Sequence, residues 1–129
     1  MVIDTSAIVA ILFLEEDAAE LARRIERSTY RIASAVSILE AGILMQSRVG
    51  DDGVKALDAF LARARIEVVS FDARQSDQAR DAFRRFGKGR HPARLNLGDC
   101  ATYALSRTTG EPLLFKGNDF ALTDVVRCP

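Results

Sequence analysis

Short apolar segments with the character of β-strands alternate with helical segments along the chain, and this alternation is the strongest constraint on the fold. Strands are predicted at residues 1–3, 30–33, 66–71, 112–115 and 125–126. Helices are predicted at residues 7–14, 18–27, 34 or 37 to 48, 54–64, 72–86 and 97–107, with a turn at 50–53 and a loop at 87–92. Strands separated by helices form a parallel sheet covered on both faces. The sequence therefore predicts an α/β fold.

The size and composition of the chain fit one domain over residues 1–129. Hydrophobic residues make up 48% of the 129 positions, enough for a core without disulfides or a structural metal. The formal net charge is +0, so binding to a polyanion must depend on where the charges lie.

The sequence indicates a cytoplasmic protein. Its beginning lacks the basic segment of an export signal, and the apolar run at residues 8–14 is too short to span a bilayer. The two cysteines, Cys100 and Cys128, are expected to be reduced thiols. No contact with a membrane is expected.

Three aspartates are predicted to lie at the edge of the sheet where ligands bind in such folds. Asp4 and Asp119 directly follow predicted strands, and Asp99 lies in the first turn of a predicted helix. Each has a structural alternative. Asp4 could cap the next helix, Asp119 could be a turn residue, and Asp99 could complete a cap begun by Asn96.

Glu40 is notable because it falls on the apolar side of its predicted helix. Its neighbours on that stripe are Val36, Leu39, Ile43 and Leu44. A carboxylate buried without a partner is costly, so Glu40 should pair with a cation. A metal site satisfies this need, and so does a buried arginine or a position at the edge of the stripe that reaches water.

Together the four acids predict a metal centre. Carboxylates crowded at one sheet edge repel one another, and Mg²⁺ or Mn²⁺ is the natural counter-charge. Such an ion can activate water and bind a phosphate oxygen, which suits phosphodiester hydrolysis. Asp4 and Asp99 are the expected ligands, and Glu40 or Asp119 would orient or deprotonate the attacking water. The products would carry 5′-phosphate and 3′-hydroxyl ends.

Four motifs resemble those of PIN-domain ribonucleases, and most closely those of VapC-type toxins from toxin–antitoxin pairs. They are the segments 4–7 (DTSA), 34–40 (SAVSILE), 97–100 (LGDC) and 117–120 (GNDF). The resemblance implies a three-layer α/β/α fold, Mg²⁺- or Mn²⁺-dependent endoribonuclease activity, a homodimer and a small cognate antitoxin. Asp4, Glu40 and Asp99 match the family's acidic triad. Asp119 is assigned as the fourth acid, and Asn118 is the alternative at that position.

A basic stretch precedes Asp99. Residues 80–94 carry an excess of five positive charges in a chain with no net charge. This stretch could hold an RNA backbone beside the acidic centre, or it could be an ordinary solvated surface. The candidate RNA-binding residues are Arg84, Arg85, Lys88, Arg90 and Arg94.

Two other functions compete with the nuclease. One is a catalytically silent PIN-like module that binds RNA or protein, although such a module has no need for Glu40 on an apolar face. The other is a phosphatase with Asp4 as nucleophile, but the sequence lacks the second aspartate that such enzymes usually carry two residues later.

Overall fold

Four parallel strands form a single sheet in the computed structural model, which describes all 129 residues. Their order across the sheet is β3-β2-β1-β4, so β1 is central and lies between β2 and β4. Val2 of β1 pairs with Ile32 on one side and with Leu113 on the other. The strands are β1 (Val2–Ile3), β2 (Ile32–Ser34), β3 (Glu67–Val69) and β4 (Leu113–Leu114).

Helices cover both faces of this sheet. They are α1 (Thr5–Leu12), α2 (Ala18–Arg27), α3 (Ala35–Arg48), α4 (Asp51–Arg63), α5 (Ala73–Phe86) and α6 (Leu97–Thr109), with a short 3₁₀ helix at Phe120–Leu122. Adjacent strand residues point to opposite faces. Ile3 therefore packs in the core under α1 to α4, whereas Val2 packs in the core under α5 and α6. The predicted three-layer α/β/α fold is confirmed.

Two local predictions are wrong. No strand forms at residues 125–126, where the chain makes only an isolated bridge between Arg127 and Leu113 beside β4. Residues 50–53 are not a separate turn, because Gly50 precedes α4 with a φ of +88° and the helix begins at Asp51. Gly53 lies where α4 meets α3, and a Cβ there would be 2.7 Å from the carbonyl oxygen of Met45.

The side of α3 that faces the interior also differs from the prediction. Its buried residues are Ser37, Ala41 and Met45, whereas Leu39 and Ile43 are 64% and 57% exposed. Small side chains at positions 37 and 41 let α3 approach its neighbours closely, whereas Leu39 and Ile43 remain outside. The apolar stripe expected to be core is thus partly a surface.

No helix combines the length and the apolar character needed to cross a membrane.

Candidate active site

Asp4 lies at the carboxyl end of the central strand and is both a helix cap and a site residue. It precedes α1, and its Oδ2 accepts a hydrogen bond of 2.9 Å from the backbone N–H of Ser6. Its Oδ1 accepts one of 2.7 Å from the hydroxyl of Thr102. The residue is only 3% exposed. The capping alternative is therefore correct, and it also fixes the carboxylate at the sheet edge.

Asp99 also has a capping role, in the first turn of α6. Its backbone N–H donates to Asn96 Oδ1 at 2.9 Å, and its Oδ2 accepts from the backbone N–H of Asn96 at 3.0 Å. Burial raises the pKa of Asp99 from its ordinary value of 3.8 to about 7, against the opposing effect of the Asn96 hydrogen bond. The negative charges of Asp4, Asp119 and Glu40 add to this increase in pKa. The other three predicted acids thus lie close enough to Asp99 to act on it electrostatically.

Glu40 reaches the same place from α3. A Cβ built on Gly98 would lie 2.6 Å from Glu40 Oε2 and 2.8 Å from Oε1. The Glu40 carboxylate therefore rests against the N-terminal turn of α6, beside Asp99, in space that only glycine leaves open. Glu40 forms no ion pair, so the alternative of a buried arginine partner is wrong. The residue is partly exposed, which agrees with the alternative of a position at the edge of the stripe that reaches water.

Asp119 lies on the rim of the site. It is exposed, follows β4 and precedes the 3₁₀ helix without making a side-chain capping bond. Its charge contributes to the raised pKa of Asp99, which places it on the acidic side of the sheet edge. The neighbouring Asn118 is exposed too. The assignment of the fourth acid to Asp119 stays a prediction.

No cation of the protein neutralises these four carboxylates. The nearby Lys116 pairs instead with Glu15 and with Asp17, the latter at 3.1 Å. The structure contains no ready set of three metal-ligating side chains. Mg²⁺ is commonly held by one or two carboxylates and several waters, and carboxylate oxygens are its preferred ligands. Asp4 and Asp99, backed by the charges of Glu40 and Asp119, fit an ion held in this way.

The basic stretch divides into paired and unpaired residues. Arg84 pairs with Asp81 at 2.6 Å. Arg85 pairs with Asp124 at 2.8 Å and donates to the hydroxyl of Tyr103 at 3.2 Å, so it joins α5 to the C-terminal segment. The remaining candidates form no ion pair and lie on the loop that leads to α6. They are Lys88, Arg90 and Arg94, which line an open cleft of about 580 Å³.

Sequence reasoning missed two buried hydroxyl residues beneath the carboxylates. Thr102 is bonded to Asp4, and Ser37 lies 2.9 Å from Thr102. Their spacing in the sequence indicates that they lie near the acids, because Thr102 follows Asp99 by three residues and Ser37 precedes Glu40 by three. Residues three apart share a helix face.

Comparisons with known proteins agree with this geometry. The family model for the PIN domain matches residues 1–126. A ribonuclease VapC of Mycolicibacterium smegmatis is 53% identical over 97% of both chains. Ribonuclease VapC30 of Mycobacterium tuberculosis is 47% identical over 97% of this chain and 95% of its own. Among solved structures, the chain is similar to the VapC20 toxin of Mycobacterium tuberculosis, which is described as cleaving the sarcin-ricin loop. The two structures have a TM-score of 0.79 at 19% sequence identity, and the match covers 97% of this chain and 95% of that one.

Proposed function

Because this chain belongs to the PIN-domain family and, within it, to the VapC ribonucleases, we propose that it is the toxin of a toxin–antitoxin pair and hydrolyses RNA at its acidic site with Mg²⁺ or Mn²⁺. One observation carries the proposal. The Glu40 carboxylate lies against Gly98, next to Asp99, with no protein cation to balance the charge. A fold that only needed stability would not keep such repulsion.

The chain's own residues divide the chemistry between them. Asp4 and Asp99 would hold the cation, because each is fixed by hydrogen bonds at the sheet edge. A divalent ion bound there supplies positive charge for a phosphate oxygen and lowers the pKa of water. Glu40 or Asp119 would orient the attacking water and accept its proton. Water is thus the nucleophile in place of the RNA 2′-hydroxyl.

The basic loop would hold the substrate. Lys88, Arg90 and Arg94 have no acidic partners, so they are available to RNA phosphates. Arg84 and Arg85 are committed to ion pairs within the protein, so we expect them to contribute less to RNA binding.

The experiment incubates the purified protein with structured RNA in Mg²⁺, in Mn²⁺ and in EDTA, beside three variants. Cleavage should require the cation and should be lost in Asp4→Asn and Asp99→Asn, both of which keep the shape of the side chain. Asp58→Asn is the matched control, because Asp58 is an exposed residue of α4 without an ion pair. Full activity of either site variant would overturn the site assignment. RNA binding without any cleavage would support the catalytically silent module.

The toxin role predicts a cellular effect. Expression of the chain in bacteria should arrest growth, and Asp4→Asn should relieve the arrest at an equal protein level. A small cognate antitoxin should do the same by binding the native chain. The substrate and the antitoxin imply that the protein acts in the cytoplasm. Growth unaffected by the native chain would contradict the toxin role.

A homodimer is the proposed assembly, and the outer face of α3 supports it. Leu39 and Ile43 are exposed there, and an apolar groove of about 600 Å³ lies nearby between α3, α5 and α6, lined in part by Val36, Phe83 and Leu97. Covering such surface is favourable.

Sedimentation at micromolar concentration should give twice the monomer mass of 14.2 kDa. Ile43→Glu should shift the mass to that of the monomer, and a monomeric native chain would refute the dimer.

A further inference from the structure

Four buried oxygen-bearing side chains are linked beneath the acidic site. The Thr102 hydroxyl donates to Asp4 Oδ1 at 2.7 Å, and the Ser37 hydroxyl lies 2.9 Å from that of Thr102. The Thr5 hydroxyl donates to the backbone carbonyl of Ser37 at 3.2 Å. All four residues are buried, and Ser37 and Thr102 have no exposed surface. Water therefore cannot replace any of these bonds.

The direction of the bonds follows from counting protons. A carboxylate only accepts hydrogen bonds, whereas each hydroxyl has one proton to donate. Since Thr102 gives its proton to Asp4, its oxygen must accept the proton of Ser37. The sequence of donation is thus Ser37 to Thr102 to Asp4. A buried chain with one allowed direction holds its members in one arrangement.

These hydrogen bonds join the three elements that carry Asp4, Glu40 and Asp99. Ser37 lies one turn before Glu40 on α3, and Thr102 lies one turn after Asp99 on α6. Asp4 connects both to the end of the central strand. A shift of either helix would have to break a buried bond that no solvent can restore.

We infer that Thr102 and Ser37 are positioning residues, which fix the Asp4 carboxylate and the spacing of the acids and thereby set the affinity for a divalent cation. The inference rests on the proposed metal-dependent function. Both hydroxyls are fully buried, and they would act on the cation through the Asp4 carboxylate that they orient. Removal of a group that orients a metal ligand typically weakens metal binding or activity by about 10- to 100-fold.

The test measures Mn²⁺ binding to the RNA-free protein by electron paramagnetic resonance, which distinguishes free from bound ion. Thr102→Val keeps the side-chain shape and removes the hydroxyl, so the dissociation constant should rise about tenfold or more. Thr102→Ser restores the hydroxyl and should bind almost as the native protein does. Ser37→Ala removes only the second bond and should fall between the two.

Thr108→Val is the matched control. Thr108 is also on α6, but its hydroxyl donates to the carbonyls of Ala104 and Leu105 in its own helix. The affinity of the Thr108→Val variant for Mn²⁺ should equal that of the native protein.

Each result has a defined meaning. Native protein that binds no Mn²⁺ would overturn the proposed metal site and this inference with it. Native protein that binds, together with a folded Thr102→Val variant of the same affinity, would overturn the inference alone. If Thr102→Val does not fold, the comparison of Ser37→Ala with Thr108→Val decides in the same way, and equal affinities refute the positioning role.

Discussion

The charge of Asp99 should weaken the metal-free fold, and Asp99→Asn should therefore stabilise it. The substitution removes the charge but keeps an oxygen that can accept the hydrogen bond from Asn96, so the cap of α6 is preserved. The substitution removes the cost of burying the charge and the smaller repulsion by the neighbouring acids, which raise the pKa of Asp99 from 3.8 to about 7. The native state holds the Asp99 proton more tightly than the unfolded chain does. Stability is thus lost as pH rises between these two values, and the full penalty is present above the higher one.

The size of the effect follows from the shift in pKa. One pKa unit corresponds to 1.36 kcal/mol, so the full shift would amount to about 4 kcal/mol. Solvent reaches part of the half-buried carboxylate and screens its charge, so the expected loss of stability is about 2 kcal/mol at about pH 8. At about pH 4 the native carboxyl is protonated and the carboxyl of the unfolded chain is only about half ionised, so the difference falls to about 0.5 kcal/mol. The larger value raises the melting temperature by roughly 5 to 10 °C.

Thermal melting in EDTA, followed by circular dichroism at both pH values, measures this difference. Asp99→Asn should melt well above the native protein at the higher pH and close to it at the lower pH. Asp58→Asn, an exposed position outside the site, should change neither. Adding Mn²⁺ should stabilise the native protein more than the variant, because only the native site keeps both ligand charges. Equal melting of Asp99→Asn and native protein at the higher pH would refute the reasoning.

Two further predictions concern the neighbours of the acids. Gly98→Ala should reduce cleavage at least about tenfold, because a Cβ there would lie 2.6 Å from Glu40 Oε2 and force that carboxylate away. Gly42→Ala, whose Cβ would meet only Leu57 at 3.9 Å, is the control and should stay active. Lys88→Gln combined with Arg94→Gln should weaken RNA binding. The slope of the binding constant against salt concentration, measured by titration at several salt concentrations, should fall by the equivalent of about two phosphate contacts. Unchanged binding would exclude the loop from the RNA interface.

The sequence predicted the placement of the acids better than the packing around them. Asp4 and Asp99 were recognisable because a strand end and a helix start fix where such residues lie in a parallel α/β fold. The inner face of α3 was not, because hydrophobic periodicity favours large residues, whereas Ser37 and Ala41 occupy that face through their small size. The bond from Thr102 to Asp4 spans 98 positions. Only the assembled fold brings such partners together.

The most direct test of the central claim is the chemistry of the RNA ends after cleavage. Products made with Mg²⁺ or Mn²⁺ are mapped by their reactivity towards ligase and phosphatase, with an EDTA reaction beside them. We expect 5′-phosphate and 3′-hydroxyl ends that form only with the cation, because water attacks phosphorus. Products with 2′,3′-cyclic phosphates, or undiminished cleavage in EDTA, would contradict it, because the RNA would then supply its own nucleophile and the four carboxylates would need another explanation.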